Sequence, residues 1–222
     1  MSKSSSLAQV QPPGDTNLKS AYLEALRLAA LKLSQCDAAE VCSNTRASFA
    51  DGSFEIPFFG STHRVTQATG EVVHLDSAAE VPVTEKVLIL HHLIHAKPSH
   101  LTGRAISFME IPGGGAIYCP SFKLRAIDPL VKAFANHFDL FASVAARFGG
   151  TPESIGDHSY TLKAFPLVPI TYVVWAGDEE VPSSGTILFD ASAADFLPVE
   201  DIVLAASFGT YRMMGAAREV KS

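Results

Sequence analysis

The stretch from residue 87 to residue 118 changes from a helical pattern to a strand-like pattern. Its first part is an apolar run that holds three of the eight histidines, His91, His92 and His95. The run breaks at Lys97-Pro98, because proline lacks a backbone donor and disfavours a helical conformation in the residue before it. A β-like segment follows and ends in three glycines at residues 113–115. The stretch therefore predicts a helix and then a strand, in a domain that combines both kinds of element.

Composition limits the class of protein. A chain of 222 residues with 47% hydrophobic and only 18% charged residues can bury a sizeable core and differs from a disordered chain. The formal net charge is −6, the isoelectric point is near 5.7, and the Lys and Arg residues are scattered. This balance provides no basic surface for nucleic acid or for an anionic membrane, so we expect neither as a partner.

The cysteines and the N-terminus favour a cytoplasmic protein. Cys36, Cys42 and Cys119 are too few for a disulfide framework or for an iron–sulphur cluster, and their odd number suits a reduced compartment. The first residues lack the apolar region of a signal peptide, and the apolar runs fall far short of the roughly 20 residues of a membrane-spanning helix. We expect a flexible lead-in over residues 1–15, one domain over residues 16–216 and a flexible tail over residues 217–222.

The periodicity of the chain predicts an α+β fold. Near the N-terminus apolar residues recur every three or four positions, namely Leu18, Tyr22, Leu26, Ala29 and Leu33. They predict a helix that begins near Asp15-Thr16. Residues 49–75 alternate instead and predict a small antiparallel sheet with a hairpin at Gly70. We expect a single domain with a mixed or mostly antiparallel sheet covered by helices, and with the N-terminal helix packed on it.

Further signals place elements in the second half of the chain. Residues 105–111, 160–165, 170–175 and 186–189 have the composition of strands. Asp128-Pro129 predicts a helix start, because a capping side chain precedes a proline at the first helical position. Asp139 predicts the start of a second helix that continues through Phe148, and Pro198 the start of a last helix that continues to about Met214.

The histidines of the central stretch suggest a metal site. A helix from Thr84-Glu85 to about Ala96 would place His91 and His95 four residues apart on one face, the spacing at which two imidazoles bind one metal ion. His92 occupies the place of the glutamate in the H-E-x-x-H pattern, so a hydrolytic zinc site of that kind is disfavoured. The alternative, one hydrogen-bonded core histidine and two exposed ones, stays open. His63 and His74 could meet across the hairpin, but hairpin histidines are more often solvated.

A second group of residues predicts a ligand pocket. Gly113 and Gly114 would allow a ligand to approach the main chain closely. Tyr118 and Trp175 would supply flat walls for a ring-shaped ligand. We add Arg104, His91 and Asp178 as polar contacts. Asp178 belongs to an acidic turn with Glu179 and Glu180, which, together with Asp190, could bind Mg²⁺ or Ca²⁺ or act as acid and base. The alternative is a solvated turn, with Asp190 as an ordinary helix cap.

Several blocks of the chain resemble a known family. They are EIPFFG, LILHHLIHA, LTGRAISFMEIPGGGAIY, FPLVPITYVVWAGDEEVP and SGTILFDASAADFLPVEDI, and their order is similar to that in domain of unknown function 3786. The resemblance implies no established activity. It implies a context of anaerobic metabolism, in which some members join this domain to an iron–sulphur segment like that of corrinoid proteins. This chain lacks that segment. His91 matches the family pattern, whereas His95 does not belong to it.

Three functions are compatible with these observations. The first is a cofactor- or ligand-binding domain, with a corrinoid or haem as the first ligand to test, His91 as its axial ligand, and an iron–sulphur or corrinoid protein as a candidate partner. The second is a metal-dependent enzyme that uses His91, His95 and carboxylates such as Glu110, Asp178 or Asp190. The third is a protein-interaction module without a small ligand. The catalytic residues of any such enzyme cannot be assigned from the sequence.

Overall fold

The computed structural model describes residues 16–220 and confirms the α+β class. Its helices are α1 (Thr16–Leu33), α2 (Ala38–Thr45), α3 (Val83–His95), α4 (Gly115–Phe122), α5 (Asp128–Phe134), α6 (Phe138–Arg147), α7 (Ala193–Phe196) and α8 (Val199–Val220). Its strands are β1 (Ser48–Ala50), β2 (Ser53–Phe58), β3 (Ser61–Thr66), β4 (Val72–His74), β5 (Ala105–Ser107), β6 (Thr151–Pro152), β7 (His158–Phe165), β8 (Val168–Trp175) and β9 (Ser184–Asp190). Helices and strands alternate in groups along the chain, as expected for this class.

The described strands form two antiparallel sheets. The first has the order β1-β2-β3-β4, and the second has the order β5-β9-β8-β7-β6. The tight β2–β3 turn joins them, because the backbone N–H of Phe59 donates a 3.0 Å hydrogen bond to the carbonyl of Ala164 on β7. The antiparallel character agrees with the sequence analysis, which did not separate the strands into two sheets.

Alternation along β3 and β4 turns one row of side chains inward. In β3, His63 and Val65 are buried, and Arg64 between them is exposed. In β4, Val72 is buried, whereas Val73 is 41% exposed. Successive residues of a strand point to opposite faces. His74 therefore lies on the same inner face as Val72 and His63, where α3 covers the sheet.

Helices α3 and α8 form the centre of the core. Helix α8 contacts α3, α4, α5, α6 and α7 and also β7, and it buries an apolar row that includes Ile202, Ala205, Ala206 and Met213. Helix α1 packs against α3 through a stripe that includes buried Ala29 and Leu33. The predicted packing stripe of α1 is thus present from Tyr22 onward, and its contact is with a helix as well as with the first sheet.

The segment from residue 105 to residue 134 differs in part from the prediction. Residues 105–111 contain the short β5 and then a 3-10 turn, Phe108–Glu110, and α4 begins already at Gly115. Helix α5 begins at Asp128-Pro129 as predicted, but a π-helical turn, Lys123–Ile127, joins α4 directly to it, so helical conformation begins before Asp128. A helix can pass through a proline when an irregular turn accompanies it.

The predicted termini are only partly described. Helix α8 extends to Val220, so residues 217–220 of the expected tail are helical. The expected lead-in, residues 1–15, and residues 221–222 lie outside the described part of the chain. Within the described part, no helix has both the length and the hydrophobicity that crossing a bilayer requires.

Gly209 allows α8 to lie directly on β8. A Cβ atom at this position would lie 2.0 Å from the hydroxyl oxygen of Tyr172 and 2.8 Å from Cε1 of Phe59. The Tyr172 hydroxyl donates a 3.1 Å hydrogen bond to the carbonyl of Ala206. We expect Gly209→Ala to displace this buried tyrosine and to lower the free energy of unfolding by about 1–3 kcal/mol, as overpacked cores do. Urea denaturation measures the change.

Gly215 on the same helix is the matched control for that substitution. A Cβ atom there meets nothing within 4 Å. Because alanine is the better helix former, Gly215→Ala is expected to leave stability unchanged or raise it by up to about 1 kcal/mol. Equal destabilisation by both substitutions would show that loss of the glycine, rather than the contact with Tyr172, is responsible.

Candidate metal centre

His63 and His74 face each other across the first sheet. They are register partners in the antiparallel β3–β4 pair, and their ring centroids are 4.4 Å apart. His63 is completely buried, whereas His74 is half-buried. The contact between His63 and His74 is thus present, although the sequence favoured solvated histidines. It forms because both rings lie on the inward face of the hairpin.

Glu85 brings a carboxylate to the same pair. It lies in the first turn of α3 and is only 1% exposed. Its Oε1 is 2.9 Å from Nε2 of His63, but the ring N–H direction does not give a hydrogen bond, and within residues 16–220 neither ring nitrogen of His63 has a hydrogen-bond partner. Buried polar atoms of native proteins are nearly always paired. A buried imidazole with both nitrogens unpaired therefore needs an explanation.

Arg212 of α8 holds Glu85 from the other side. Its NH2 donates to both carboxylate oxygens of Glu85, at 3.1 and 3.3 Å. The guanidinium carbon lies 4.8 Å from the ring centroid of Phe208 and 5.8 Å from that of Phe58. Burial lowers the pKa of Arg212, and the attraction of Glu85 opposes this effect. The aromatic rings and the carboxylate together fix the position of the cation.

Three of these side chains have the donor atoms and the spacing of a metal site. The ligand atoms of His63, His74 and Glu85 all lie within 4.8 Å of one another. Zn²⁺ binds imidazole nitrogen and carboxylate oxygen at about 2.0–2.2 Å, which separates tetrahedral ligand atoms by about 3.3 Å. Shifts on the order of 1 Å would close the set around one ion. The triad could therefore hold a metal ion.

The lowered pKa of His74 favours binding to a metal. Burial lowers the pKa of His74, and repulsion from His63 lowers it further, while Glu85 and Asp76 act in the opposite direction. A lowered pKa keeps the imidazole in the neutral form that coordinates metal ions. His74 is also the half-buried member of the triad, so it lies on the side from which an ion can enter.

Comparison with known protein families identifies the chain. The model of a family described as a domain of unknown function, DUF3786, matches residues 37–212, which include His63, His74, Glu85 and Arg212. The chain belongs to the DUF3786 family. This result confirms the resemblance that the sequence blocks indicated. Comparison of this DUF3786 domain with curated proteins and with solved structures gives no match.

The predicted metal ligands His91 and His95 form a second cluster in the DUF3786 domain, at the other end of α3. Nδ1 of His91 is 2.7 Å from Oδ2 of Asp201 on α8, and the ring centroids of His91 and His95 are 5.3 Å apart. Burial, followed by the effects of Lys32 and His91, lowers the pKa of His95. Within the described residues, these histidines are not part of a three-donor group of the kind formed by His63, His74 and Glu85.

Three other predicted ligand contacts converge on the start of α8. The hydroxyl of Tyr118 donates to the carboxylate of Glu200, the residue next to the His91 partner Asp201. A Cβ atom on Gly113 would lie 3.6 Å from a methyl group of Val199, and one on Gly114 would lie 3.4 Å from the ring of Tyr118. Both glycines have positive φ angles, 88° and 132°, which L side chains rarely adopt. Tyr118, Gly113 and Gly114 therefore lie at the first turn of α8, in which Asp201 contacts His91.

Trp175 and Asp178 lie elsewhere. Trp175 pairs with Ser184 at the start of β9. The chain continues towards α8 from the other end of β9, at Asp190. The length of β9 separates these two ends by about 20 Å. Asp178 accepts hydrogen bonds from the backbone N–H groups of Glu180 and Val181, which lower its pKa. The acidic turn thus closes on itself at a distance from the His91 cluster.

The remaining predicted polar residues have local structural partners. Arg104 is exposed, and its carbonyl accepts a hydrogen bond from Ala191. Asp190 accepts hydrogen bonds from Thr102, Gly103 and Ser192. Burial raises the pKa of Asp190, but these hydrogen bonds outweigh it and bring the pKa to about 2. Glu110 accepts hydrogen bonds from the backbone and hydroxyl of Ser107 and completes a capping box.

The sequence analysis did not assign Glu85 or Arg212 to a site. Glu85 was assigned to a helix N-terminus, where acidic residues are favoured by the helix dipole. Its spacing from Leu88, Ile89 and His92 was the available signal, because residues three, four and seven positions apart share a helix face. That face is the buried one. Arg212 follows Phe208 by four residues, which offered a weaker signal of the same kind.

Proposed function

We propose that this DUF3786 domain binds a divalent transition metal ion, Zn²⁺ or Fe²⁺, through His63, His74 and Glu85. The observation that carries this proposal is His63, a completely buried imidazole with no hydrogen-bond partner at either ring nitrogen among the described residues. Metal coordination would give one of these nitrogens a partner. Two imidazoles and one carboxylate are a donor set that suits both ions.

The number of ligands supports a reactive rather than a purely structural site. Structural zinc sites have four protein ligands, whereas catalytic sites have three and leave a position for water or substrate. Arg212 would act as the outer partner that orients Glu85, in the way that ligating carboxylates are usually held by a second hydrogen bond. The function that the site supports best is thus metal-dependent chemistry on a small ligand.

Metal titration tests the proposal directly. We expect the metal-free protein to bind one Zn²⁺ or Co²⁺ per chain, and saturating metal at 100 times the dissociation constant to add about 2.7 kcal/mol to the free energy of unfolding. His74→Ala and His63→Gln each remove one donor, so each should weaken binding by at least about tenfold. Isothermal titration and elemental analysis measure stoichiometry and affinity.

The exposed histidines His100 and His137 supply controls for this titration. His100→Ala and His137→Ala should bind metal as the wild type does. Metal binding that is equally strong in His74→Ala and in the wild type would overturn the assignment of the ligands. Failure of the wild type to bind any of these ions would overturn the proposed function.

A second candidate function is the tetrapyrrole binding that the family resemblance suggested. The supporting observation is the 2.7 Å contact between His91 and Asp201, because a carboxylate on one ring nitrogen orients a histidine to ligate iron or cobalt through the other. Titration with haem and with cobalamin, followed by visible spectroscopy, tests it. A shift that His91→Ala removes and His100→Ala retains would support the candidate, and an unchanged spectrum would exclude it.

A further inference from the structure

We infer that the metal centre binds a small oxyanion, a carboxylate or a phosphate group, between the metal ion and Arg212. This inference rests on the proposed function and names the class of ligand that the site would take. It follows from the number of open coordination positions, from the charge of the loaded site and from the unused donors of Arg212.

The four side chains of the site differ in their exposure to solvent. His63 and Glu85 are 0% and 1% exposed, whereas the side chain of Arg212 is 22% exposed and His74 is half-buried. With three protein donors, an ion of this kind retains at least one position for an outside ligand. Because the exposed surface of these four side chains belongs mainly to His74 and Arg212, we place the approach of such a ligand beside these two residues.

The charge of the loaded site favours an anion. Before metal binding, the carboxylate of Glu85 and the guanidinium of Arg212 balance each other in their ion pair. A divalent cation bound by two neutral imidazoles and Glu85 would leave the site, with Arg212 included, a net charge of +2. Asp76 lies near His74, but it is exposed and already accepts a hydrogen bond from the backbone of Thr62. Uncompensated charge in a site poor in water is unfavourable, so an anionic ligand would be stabilised.

Arg212 has the geometry and the free donors for this ligand. The hydrogen bonds of Arg212 to other described residues both use one nitrogen, NH2, and both go to Glu85. Phe208 and Phe58 hold the guanidinium. A planar guanidinium with a second free N–H edge matches two oxygens of a carboxylate or phosphate group. Lysine would offer the same charge without that fork.

Visible spectroscopy of the Co²⁺-loaded full chain tests this inference. Acetate and inorganic phosphate are titrated separately at constant ionic strength set with perchlorate, a weak ligand. We expect at least one of the two anions to shift the cobalt d–d bands with a saturable curve. A response to acetate alone would assign a carboxylate ligand, and a response to phosphate alone would assign a phosphate ligand.

Substitution of Arg212 distinguishes its role from simple metal coordination. Arg212→Lys, saturated with Co²⁺ before titration, should bind the anion at least about tenfold more weakly, because the bidentate contact is lost. Arg64→Lys is the matched control, since Arg64 follows His63 on β3 but is paired with Glu55 on the exposed face, and it should bind the anion as the wild type does. Equal anion affinity in Arg212→Lys and the wild type would overturn the inference.

The outcomes separate this inference from the proposed function. A wild-type chain that binds Co²⁺ stoichiometrically but shows no spectral response to either anion overturns the oxyanion inference and leaves metal binding intact. A chain that binds no Co²⁺ overturns both. If Arg212→Lys does not fold, the wild-type titration alone decides whether the metal-loaded site binds either anion.

Discussion

Replacing Glu85 with alanine is expected to lower the free energy of unfolding of the metal-free protein by about 3–5 kcal/mol. Glu85 is 1% exposed, and its carboxylate is the partner of Arg212 at 3.1 Å and the neighbour of buried His63 at 2.9 Å. Without it, a largely buried guanidinium loses its counter-charge, and the cost of desolvating that cation is no longer compensated. Against a total stability of about 5–15 kcal/mol, this loss would be at least about one fifth of the total.

Urea denaturation in the presence of a chelator measures this loss, and a surface ion pair provides its control. Glu55 and Arg64 make a 2.8 Å ion pair with side chains 40% and 50% exposed. Exposed pairs contribute little, so Glu55→Ala should change stability by less than about 1 kcal/mol. Equal losses of unfolding free energy in Glu85→Ala and Glu55→Ala would show that the buried ion pair contributes no more to stability than the exposed one.

A double substitution separates the charge from the volume of the pair. Glu85→Leu combined with Arg212→Met replaces both charges with apolar side chains of similar size. Such replacements of buried ion pairs are often neutral or stabilising. We expect the double variant to recover most of the stability lost in Glu85→Ala while failing to bind metal. The ion pair would then be retained by the protein for its chemistry and not for its stability.

Acidification from pH 7 to pH 4 is expected to remove about 3 kcal/mol of stability through His92 alone. His92 is completely buried on α3, its ring is stacked 4.0 Å from that of Phe165, and its Nδ1 lies 3.2 Å from the carbonyl oxygen of Phe196. Burial lowers the pKa of His92 from 6.5 to about 4, and the contact with Phe196 opposes the effect only in part.

The direction of the pH effect follows from these two pKa values. Below pH 6.5 the unfolded chain takes up a proton at His92, whereas the folded protein does so only near pH 4. The unfolded state therefore binds more protons in this interval, and its stability relative to the folded state rises as the pH falls. The contribution of His92 is complete above about pH 6.5 and is lost progressively down to about pH 4. Each pH unit in this interval removes about 1.4 kcal/mol.

Urea denaturation at a series of pH values tests the role of His92. His74 and His95 also have lowered pKa values. The informative quantity is therefore the difference in unfolding free energy between the wild type and His92→Phe at each pH. Phenylalanine preserves the stacking on Phe165 but cannot be protonated, so the loss between pH 7 and pH 4 should be smaller by about 3 kcal/mol. The exposed control His100→Ala should retain the wild-type dependence, and identical curves for all three proteins would refute the assignment.

The elements that the sequence predicted well are those with a strong local signal. The periodic stripe of α1, the apolar run of α3 and the last helix after Pro198 were recognised, because a helix with one apolar face repeats its pattern over several turns. The start of α5 at Asp128-Pro129 was predicted as well, but the helical residues before it were not. A capping residue and a proline describe a local preference, but the preceding π-helical turn, Lys123–Ile127, lets the chain continue through it.

The family was identifiable from the sequence as well. Blocks such as EIPFFG and SGTILFDASAADFLPVEDI keep their order along the chain, and the matched range, residues 37–212, confirms the assignment. Family membership did not indicate which histidines share a site. The sequence analysis favoured His91 and His95, which are close along one helix, over His63 and His74, which are close only across two strands.

The sequence by itself determined the fold class and the main helices, but it favoured solvated positions for His63 and His74. Only the tertiary structure decided that Glu85 and Arg212, 127 residues apart in the chain, meet beside those histidines. Periodicity and capping act over a few residues, so they specify which face of an element is buried. Which buried faces meet depends on the packing of α3 and α8 against the first sheet, a collective property that no single segment encodes.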